Sequence, residues 1–414
     1  MSGCLLAVSS CHHLLLSILP SYHNPNSPNL TRNLEPPTEQ AGLQSTLLVG
    51  SDGAGQAVAE DHIKAMASNK SLAGAAHIQG GHYSCAHDPP PAFWEIEPAQ
   101  TFWVNEDFST LGGDWSAGGC WGRSLNQNYV KLNATSTISW ATLWSVVDSW
   151  RYFGNGLMYA YEPWSGNYTV PPAIWTSAHV TQFAEPGWRY LAGTGSGLLP
   201  GGGSWSAMVP PKKEGENENK SEHASNTPYD ARATVRAASL DAGDFMLVVE
   251  KLEGACLRCK VPATSGETVS FVLAGPLNPS SSQTATRALA TWVTNSSVSF
   301  LRLADTPVAA DGSFTVFIPR DHMYTFTTTT GQAKGHAASC SADSPTMCNG
   351  VYAPHPFPYS DSYDHGVVGR FATYHSDNGG AFEVRKDSAV AGSDGGGGGH
   401  LLQASPRFPK GTEW

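Results

Sequence analysis

Thr101–Gly122, TFWVNEDFSTLGGDWSAGGCWG, is the stretch around which this chain is read. Thr101-Phe102-Trp103-Val104 has the β-branched and aromatic composition of a buried strand. Asn105-Glu106-Asp107 falls where that strand should end, and a glycine- and tryptophan-rich loop follows. In barrels of alternating strands and helices, reactive side chains collect at the C-terminal strand ends. Glu106 therefore has two readings. It is either a carboxylate aimed into a cleft, as sugar chemistry requires, or an acidic strand terminus facing water.

Outward from this stretch the same grammar repeats. Ser45–Gly50 (STLLVG) reads as a short buried strand ending at Ser51-Asp52-Gly53. Gln56–Asn69 is helix-like, with Val58, Ile63 and Met66 on one side. Ala75–Tyr83 (AAHIQGGHY) is a second strand-to-loop unit and Thr101–Asp107 a third. Downstream, Asn126–Trp150 reads as long and mostly helical, and Gly156–Trp164 (GLMYAYEPW) as a fourth strand. Strands alternating with helices predict parallel βα units. Four such units make half of an eight-fold barrel, and half a barrel leaves sheet edges and an apolar face open. The chain is therefore expected to be truncated at its start. Residues 1–43, with Pro20, Pro25, Pro28, Pro36 and Pro37, read as irregular and as a non-native beginning.

After about residue 190 the pattern changes. Gly193–Gly203 is glycine-rich, and residues 209–229 read as a polar, flexible insert. Short strand candidates follow at Ala233–Leu240, Asp244–Leu252, Glu267–Gly275, Ala288–Thr294, Val298–Leu303, Ser313–Ile318 and Met323–Thr329. Their spacing predicts an antiparallel β-sandwich over 191–330. The expected fold is thus α/β followed by all-β: the C-terminal half of a TIM (β/α)8 barrel over 44–190, then the sandwich, then a linker and a cut-off third module over 331–414.

Composition narrows the function. A length of 414 residues suits two or three domains. The net charge of −11 and the absence of any long basic run exclude a nucleic-acid partner. No stretch is apolar enough for a transmembrane helix. No signal peptide is evident, since no Lys or Arg precedes Arg32. Eleven of the 13 tryptophans lie between Trp94 and Trp205, which fits a carbohydrate cleft or a large aromatic core. Asn-X-Ser/Thr sequences at Asn29, Asn69, Asn133, Asn167, Asn219 and Asn295, together with low charge, favour a secretory compartment.

The block FWVNEDFSTLGGDWSAGGCWGRSLNQNYV, then STISW, then GLMYAYEPWSGNYTVPPAIWTSAHVTQFAEPGWRYL, resembles the galactosylceramidases of glycoside hydrolase family 59. The likeness continues through DFMLVVEKLEGACLRC and DGSFTVFIPRDHMYTFTTTTG, covering about 44 to 385. It implies a TIM barrel, a β-sandwich and a lectin-like domain. It also implies metal-free, cofactor-free, retaining hydrolysis of a β-galactosyl glycosphingolipid in the lysosome, with a saposin-like lipid carrier as a partner. Carried over by position, the resemblance assigns Glu106 as nucleophile and Trp140, Tyr152 and Arg258 as substrate contacts. It further assigns Cys120 and Cys256 as a disulfide between a barrel loop and the sandwich.

A retaining glycosidase also needs a second carboxyl as acid/base. The remaining early candidates, Glu35 and Glu39, sit among prolines and follow no strand-like run, so the acid/base is expected to be absent and the activity impaired. A non-catalytic glycan- or glycolipid-binding remnant is the alternative. Glu162 and Trp164 are weaker candidates, weighed against a structural role. His82 and Tyr83 end their strand where active-site groups gather, weighed against simple packing; Asp52 is similar. His179 is expected to be a buried histidine satisfied by the backbone. Cys256-Leu257-Arg258-Cys259 is a C-x-x-C, but no second such pair accompanies it, so a disulfide through Cys256 fits better than a zinc half-site. Pairing of Cys85, Cys259, Cys340 and Cys348 stays open.

Overall fold

In a computed structural model of the chain, the residues described are 49–51, 56–82, 91–97, 99–107, 113–144, 156–160, 168–191, 195–211, 233–236, 244–253, 262–274, 288–329, 357–363, 368, 374, 381–386 and 399–404. The chain divides into two compact units. The first takes residues 1–142, 154–157 and 171–333; the second takes 143–153, 158–170 and 334–414.

The first unit opens with four parallel strands, β1 (Val49–Gly50), β2 (Ile78–His82), β3 (Thr101–Asp107) and β4 (Ala134–Ser139), side by side in that order. Helices α1 (Gln56–Ser68) and α2 (Lys70–Ala75) connect β1 to β2, and α3 (Trp115–Leu132) connects β3 to β4. One face of this sheet is apolar. Phe102 and Val104 of β3 and Ala134 of β4 pack with Ile63 and Met66 of α1, Phe93 and Leu132. Side chains alternate along a strand, so Trp103 and Asn105 face the other way.

The helix expected over Asn126–Trp150 is displaced. α3 starts earlier, where the Asp114 carboxylate accepts from Ala117 N–H as N-cap. It ends at Asn133, whose left-handed backbone (φ 52°) cannot continue a helix. The β-branched run Thr135, Thr137, Ile138 then forms β4, so this strand, and not Gly156–Trp164, is the fourth of the sheet. The glycines of α3 hid the helix from sequence. Gly118 is required because a Cβ there would come within 2.4 Å of Pro172 Cβ on α4 (Pro172–Thr181), which packs closely against α3.

In the second unit, β5 (Leu143–Trp144) and β6 (Met158–Tyr159) pair in parallel, so residues expected to join the sheet of β1–β4 form their own two-stranded ladder. Continuing along the chain, the first unit adds β7 (Arg189–Tyr190), β8 (Ser196–Leu198), β9 (Ser204–Val209), β10 (Ala233–Arg236), β11 (Met246–Glu250), β12 (Glu267–Ala274), β13 (Ala288–Asn295), β14 (Val298–Arg302), β15 (Thr306–Pro307), β16 (Ser313–Ile318) and β17 (Met323–Thr327). They form one large sheet, ordered β14-β13-β17-β11-β9-β7 with β15 beside β13 and β8 beside β9, and a smaller one, ordered β10-β12-β16. Every pair within these sheets is antiparallel except β10 with β12, which run parallel. Val209, expected to start the polar insert, is instead the buried last residue of β9; residues 212–229 lie outside those described.

An apolar layer draws on both sheets: Trp205, Ala207, Leu247, Val249 and Phe326 from the large one, Val269, Phe271, Leu273, Phe314 and Ile318 from the small one. The opposite face of the large sheet is buried as well. Met208, Met246, Val248, Trp292 and Met323 pack with Ala178 and Val180 of α4, Phe183 and Trp188. In the second unit, β18 (Ala381–Lys386) and β19 (Gly399–Ala404) form an antiparallel pair.

Candidate active site

Glu106 sits at the C-terminal end of β3, and the ladder around it is irregular on both sides. Val104 stands opposite Gly81, but Glu106 stands opposite His82, so β3 carries one more residue than β2 across this step. The same excess recurs against β4, where Val104 pairs with Thr137 and Asp107 with Ser139. A β-bulge re-aims the side chains beyond it. Here Glu106 Oε1 lies 3.5 Å from His82 Nδ1, with the imidazole buried and the carboxylate a quarter exposed. The contact is an ion pair when the imidazole carries a proton and a polar contact otherwise. The carboxylate thus stands on a rigid strand yet remains reachable.

Its two sequence neighbours are committed elsewhere. Asn105 Nδ2 donates to the carbonyl of Ser51 at the end of β1, 2.9 Å away. To get there it crosses β2 at Gly80, where a Cβ would come within 2.4 Å of Ser51 O and 2.5 Å of Asn105 Nδ2. Asp107 points to the helix side, where its Oδ2 accepts from Asn128 Nδ2 of α3 at 3.3 Å; the same Nδ2 donates to Thr137 Oγ1 at 3.0 Å. The Asp107 carbonyl accepts from Trp140 N–H at 2.7 Å, which fixes Trp140 beside the same strand end. The ends of four parallel strands therefore present Ser51, His82, Glu106 and Trp140 together.

Beneath this, α3 is held to the large sheet by a buried polar network. Glu250 Oε1 accepts from Gln127 Nε2 (3.0 Å) and Ser204 Oγ (2.6 Å), and its Oε2 from Leu252 N–H (3.0 Å). Asn126 Nδ2 donates to Ser204 Oγ (2.8 Å), and Ser206 Oγ donates to Asn126 Oδ1 (2.5 Å). Arg123, fully buried, donates to the carbonyls of Leu252 and Glu253. Burial pushes the Glu250 carboxyl up to about 7, against the opposing pull of its three donors and of the Arg123 charge.

Of the residues expected from sequence, Glu106, His82 and Trp140 come together. Tyr83, Tyr152, Glu162, Trp164, Arg258 and Cys256 lie outside the described residues, as do Asp52, Glu35 and Glu39. Cys120, buried in α3, is disulfide-bonded. His179 is buried as expected, but its ring is held by hydroxyls: Nδ1 lies 2.8 Å from Thr325 Oγ1 and Nε2 2.8 Å from Thr294 Oγ1. Sequence reasoning missed the Asn105–Gly80–Ser51 tie. Its one visible trace is the Gly80-Gly81 pair inside a strand, which signals a close approach. Among the described residues, no group of three or more His, Cys, Asp or Glu is placed to hold a metal.

Residues 2–182 match the profile of glycosyl hydrolase family 59. Over these residues the chain is similar to this family. It is 32% identical over 305 residues to the galactocerebrosidase of Homo sapiens, covering 71% of this chain and 38% of that protein. Against the galactocerebrosidase of Danio rerio it is 37% identical over 182 residues, 44% of this chain and 26% of that one. The chain thus spans less than half the length of these relatives. Among solved structures it is similar to a GH30 endoxylanase from Clostridium papyrosolvens C71, at 15% identity and a TM-score of 0.45 over 74% of this chain and 59% of that one.

Proposed function

We propose that the protein is a retaining β-galactosidase of the glycosphingolipid-degrading kind, built on half of a TIM barrel and a β-sandwich, with Glu106 as its nucleophile. The observation that carries this reading is the bulged end of β3, which aims Glu106 past Asn105 and Asp107 and sets its carboxylate beside His82. Trp140, whose backbone N–H is bonded at the neighbouring strand end, is assigned as the apolar ring on which galactose stacks. Likeness to the family assigns Tyr152 and Arg258 as further sugar contacts and Cys256 as the disulfide partner of Cys120. The substrate is galactosylceramide-type, presented by a saposin-like carrier in the lysosome. Likeness to glycosyl hydrolase family 59 and to the galactocerebrosidases is what supports these assignments.

In this mechanism Glu106 attacks the anomeric carbon and the aglycone leaves, giving a galactosyl ester that water then hydrolyses. A carboxylic acid must protonate the leaving oxygen, a contribution of about 10²–10⁴-fold. Among the described residues, Glu106 is the one carboxylate aimed from these strand ends, since Asp107 is turned to α3. On this reading, with no residue assigned as the acid, catalysis is impaired and dependent on the leaving group: fast with an acidic phenol, slow with a lipid alcohol. The test is to treat the protein with a 2-deoxy-2-fluoro-galactoside bearing a dinitrophenolate leaving group and to map the labelled peptide. Label on Glu106, absent in Glu106→Gln, is expected. Turnover unchanged in that variant, or sugar bound without any covalent label, would defeat the assignment and favour a glycan-binding role.

A further inference from the structure

The Asn-X-Ser/Thr sequences are not used by the chemistry above. Three of them, at Asn69, Asn133 and Asn295, lie on described residues, and the structure separates them sharply. Asn295 is half-buried and its Nδ2 lies 2.8 Å from His322 Nε2, while its Oδ1 closes a turn with Ser297 and Val298 N–H. Asn133 is half-buried in the left-handed cap that ends α3, wedged between buried Leu132 and Ala134. Asn69 differs from both. Asn69, Lys70 and Ser71 are all exposed. Asn69 Oδ1 accepts from Ser71 N–H and Leu72 N–H, both at 3.1 Å, which makes it the N-cap of α2.

That capping contact orients the amide. With Oδ1 turned onto the helix end, the other branch of the planar amide, Nδ2, is directed away from the capped N–H groups on an exposed residue. The backbone there is extended (φ −136°, ψ 96°), so the acceptor sits on an accessible corner between two helices. We propose that Asn69 is a site of N-linked glycosylation. Its Nδ2 bonds to the anomeric carbon of a lipid-pyrophosphate-linked oligosaccharide. The sugar–pyrophosphate bond breaks, the lipid pyrophosphate leaves, and one amide proton passes to base. The Ser71 hydroxyl supplies the acceptor motif's third position. The modified amide keeps its carbonyl oxygen, so both capping hydrogen bonds survive and the glycan costs the fold nothing at α2.

The corner is also away from the chemistry. α1 leaves the C-terminal end of β1 and, at 13 residues, runs about 20 Å back along the sheet before Asn69. A glycan there hangs from the N-terminal side of the strands, whereas Glu106 and His82 occupy the C-terminal side.

The inference rests on the secretory route proposed above and not on catalysis, so the test supplies that route. The full chain is secreted from a eukaryotic host behind a cleavable leader. It is then released from its glycans by peptide N-glycosidase in H2-18O and mapped by mass spectrometry. Heavy-oxygen aspartate is expected at position 69, with Asn133 and Asn295 unmodified. Asn69→Ser, which preserves a capping oxygen, and Ser71→Ala, which preserves Asn69 itself, should each remove one glycan from the secreted protein and leave its unfolding temperature in deglycosylated form unchanged. An unmodified Asn69 peptide in the secreted chain, or no lost glycan in either variant, would overturn the proposal whatever the enzyme assay reports.

Discussion

Replacing Glu250 by glutamine should flatten the pH dependence of stability on one side of neutrality. The carboxyl is fully buried, and its pKa in the folded chain stands at about 7 against an ordinary 4.5. Below about pH 4.5 both folded and unfolded chains hold the proton, and the full stability is present. Between 4.5 and 7 the unfolded chain ionises while the folded one does not, so stability falls as pH rises and the loss is complete above about 7. The shift is about 2.5 units, or about 3 kcal/mol at roughly 1.4 kcal/mol per unit. Glutamine cannot titrate. It retains one acceptor oxygen for Ser204 and Gln127 but faces Leu252 N–H with its own NH₂, an unsatisfied donor pair costing about 1–3 kcal/mol at every pH. Urea denaturation at half-unit intervals from pH 4 to 8 gives both curves. The difference between them should shrink by about 3 kcal/mol as pH rises across this range. A difference independent of pH would mean that the network of Arg123, Gln127 and Ser204 holds Glu250 ionised throughout, and the burial argument would be wrong.

His179 should act in the opposite direction. Burial pulls its pKa from 6.5 down to about 3, so the neutral ring stabilises the fold above 6.5 and that contribution is lost as pH falls toward 3. His179→Gln should make acid unfolding less steep, read by circular dichroism during an acid titration; an unaltered slope would refute it. Gly80→Ala should cost about 1–3 kcal/mol from overpacking, because the new Cβ meets Ser51 O and Asn105 Nδ2 at 2.4 and 2.5 Å. The same variant should slow fluoro-sugar labelling of Glu106, since Asn105 must move; labelling at the unaltered rate would show that the Asn105 tie does not help aim its neighbour.

What sequence revealed follows from how local each signal is. α1 is legible because Ile63 and Met66, three residues apart, mark a buried stripe. Glu106 is legible because a strand of large apolar residues ends abruptly in acids. α3 is harder to read because it is buried almost all round: Gly118, Gly122, Arg123, Asn126 and Gln127, which serve close helix contact and polar bonding to the large sheet, are interleaved with the apolar Trp121, Leu125, Tyr129 and Leu132. The glycines and buried polar groups interrupt that apolar stripe and blur the start and end of the helix, and the misplacement of β4 followed from it. The Asn105 tie escaped for a related reason: it joins three strands over a glycine, and its partner is a backbone carbonyl that has no sequence signature. The parallel pairing of β10 with β12 is likewise a property of chain path. The roles of Tyr152, Arg258 and Cys256 rest on family likeness.

Strand β11 carries no solvent-facing side. All five of its residues, Met246–Glu250, are inaccessible to solvent; Leu247 and Val249 enter one apolar layer, and Met246 and Val248 the other. The layer around Met246 needs α4 and Trp188, which precede the large sheet's central strands in the chain. Severing the polypeptide near residue 190 would strip that covering and leave a bare greasy wall on the excised piece, a recipe for clumping. The β-rich portion is therefore not a detachable module that evolution or an engineer could transplant by itself. It inherits its solubility from the helices upstream, and the two must be expressed, tested and traded as one body.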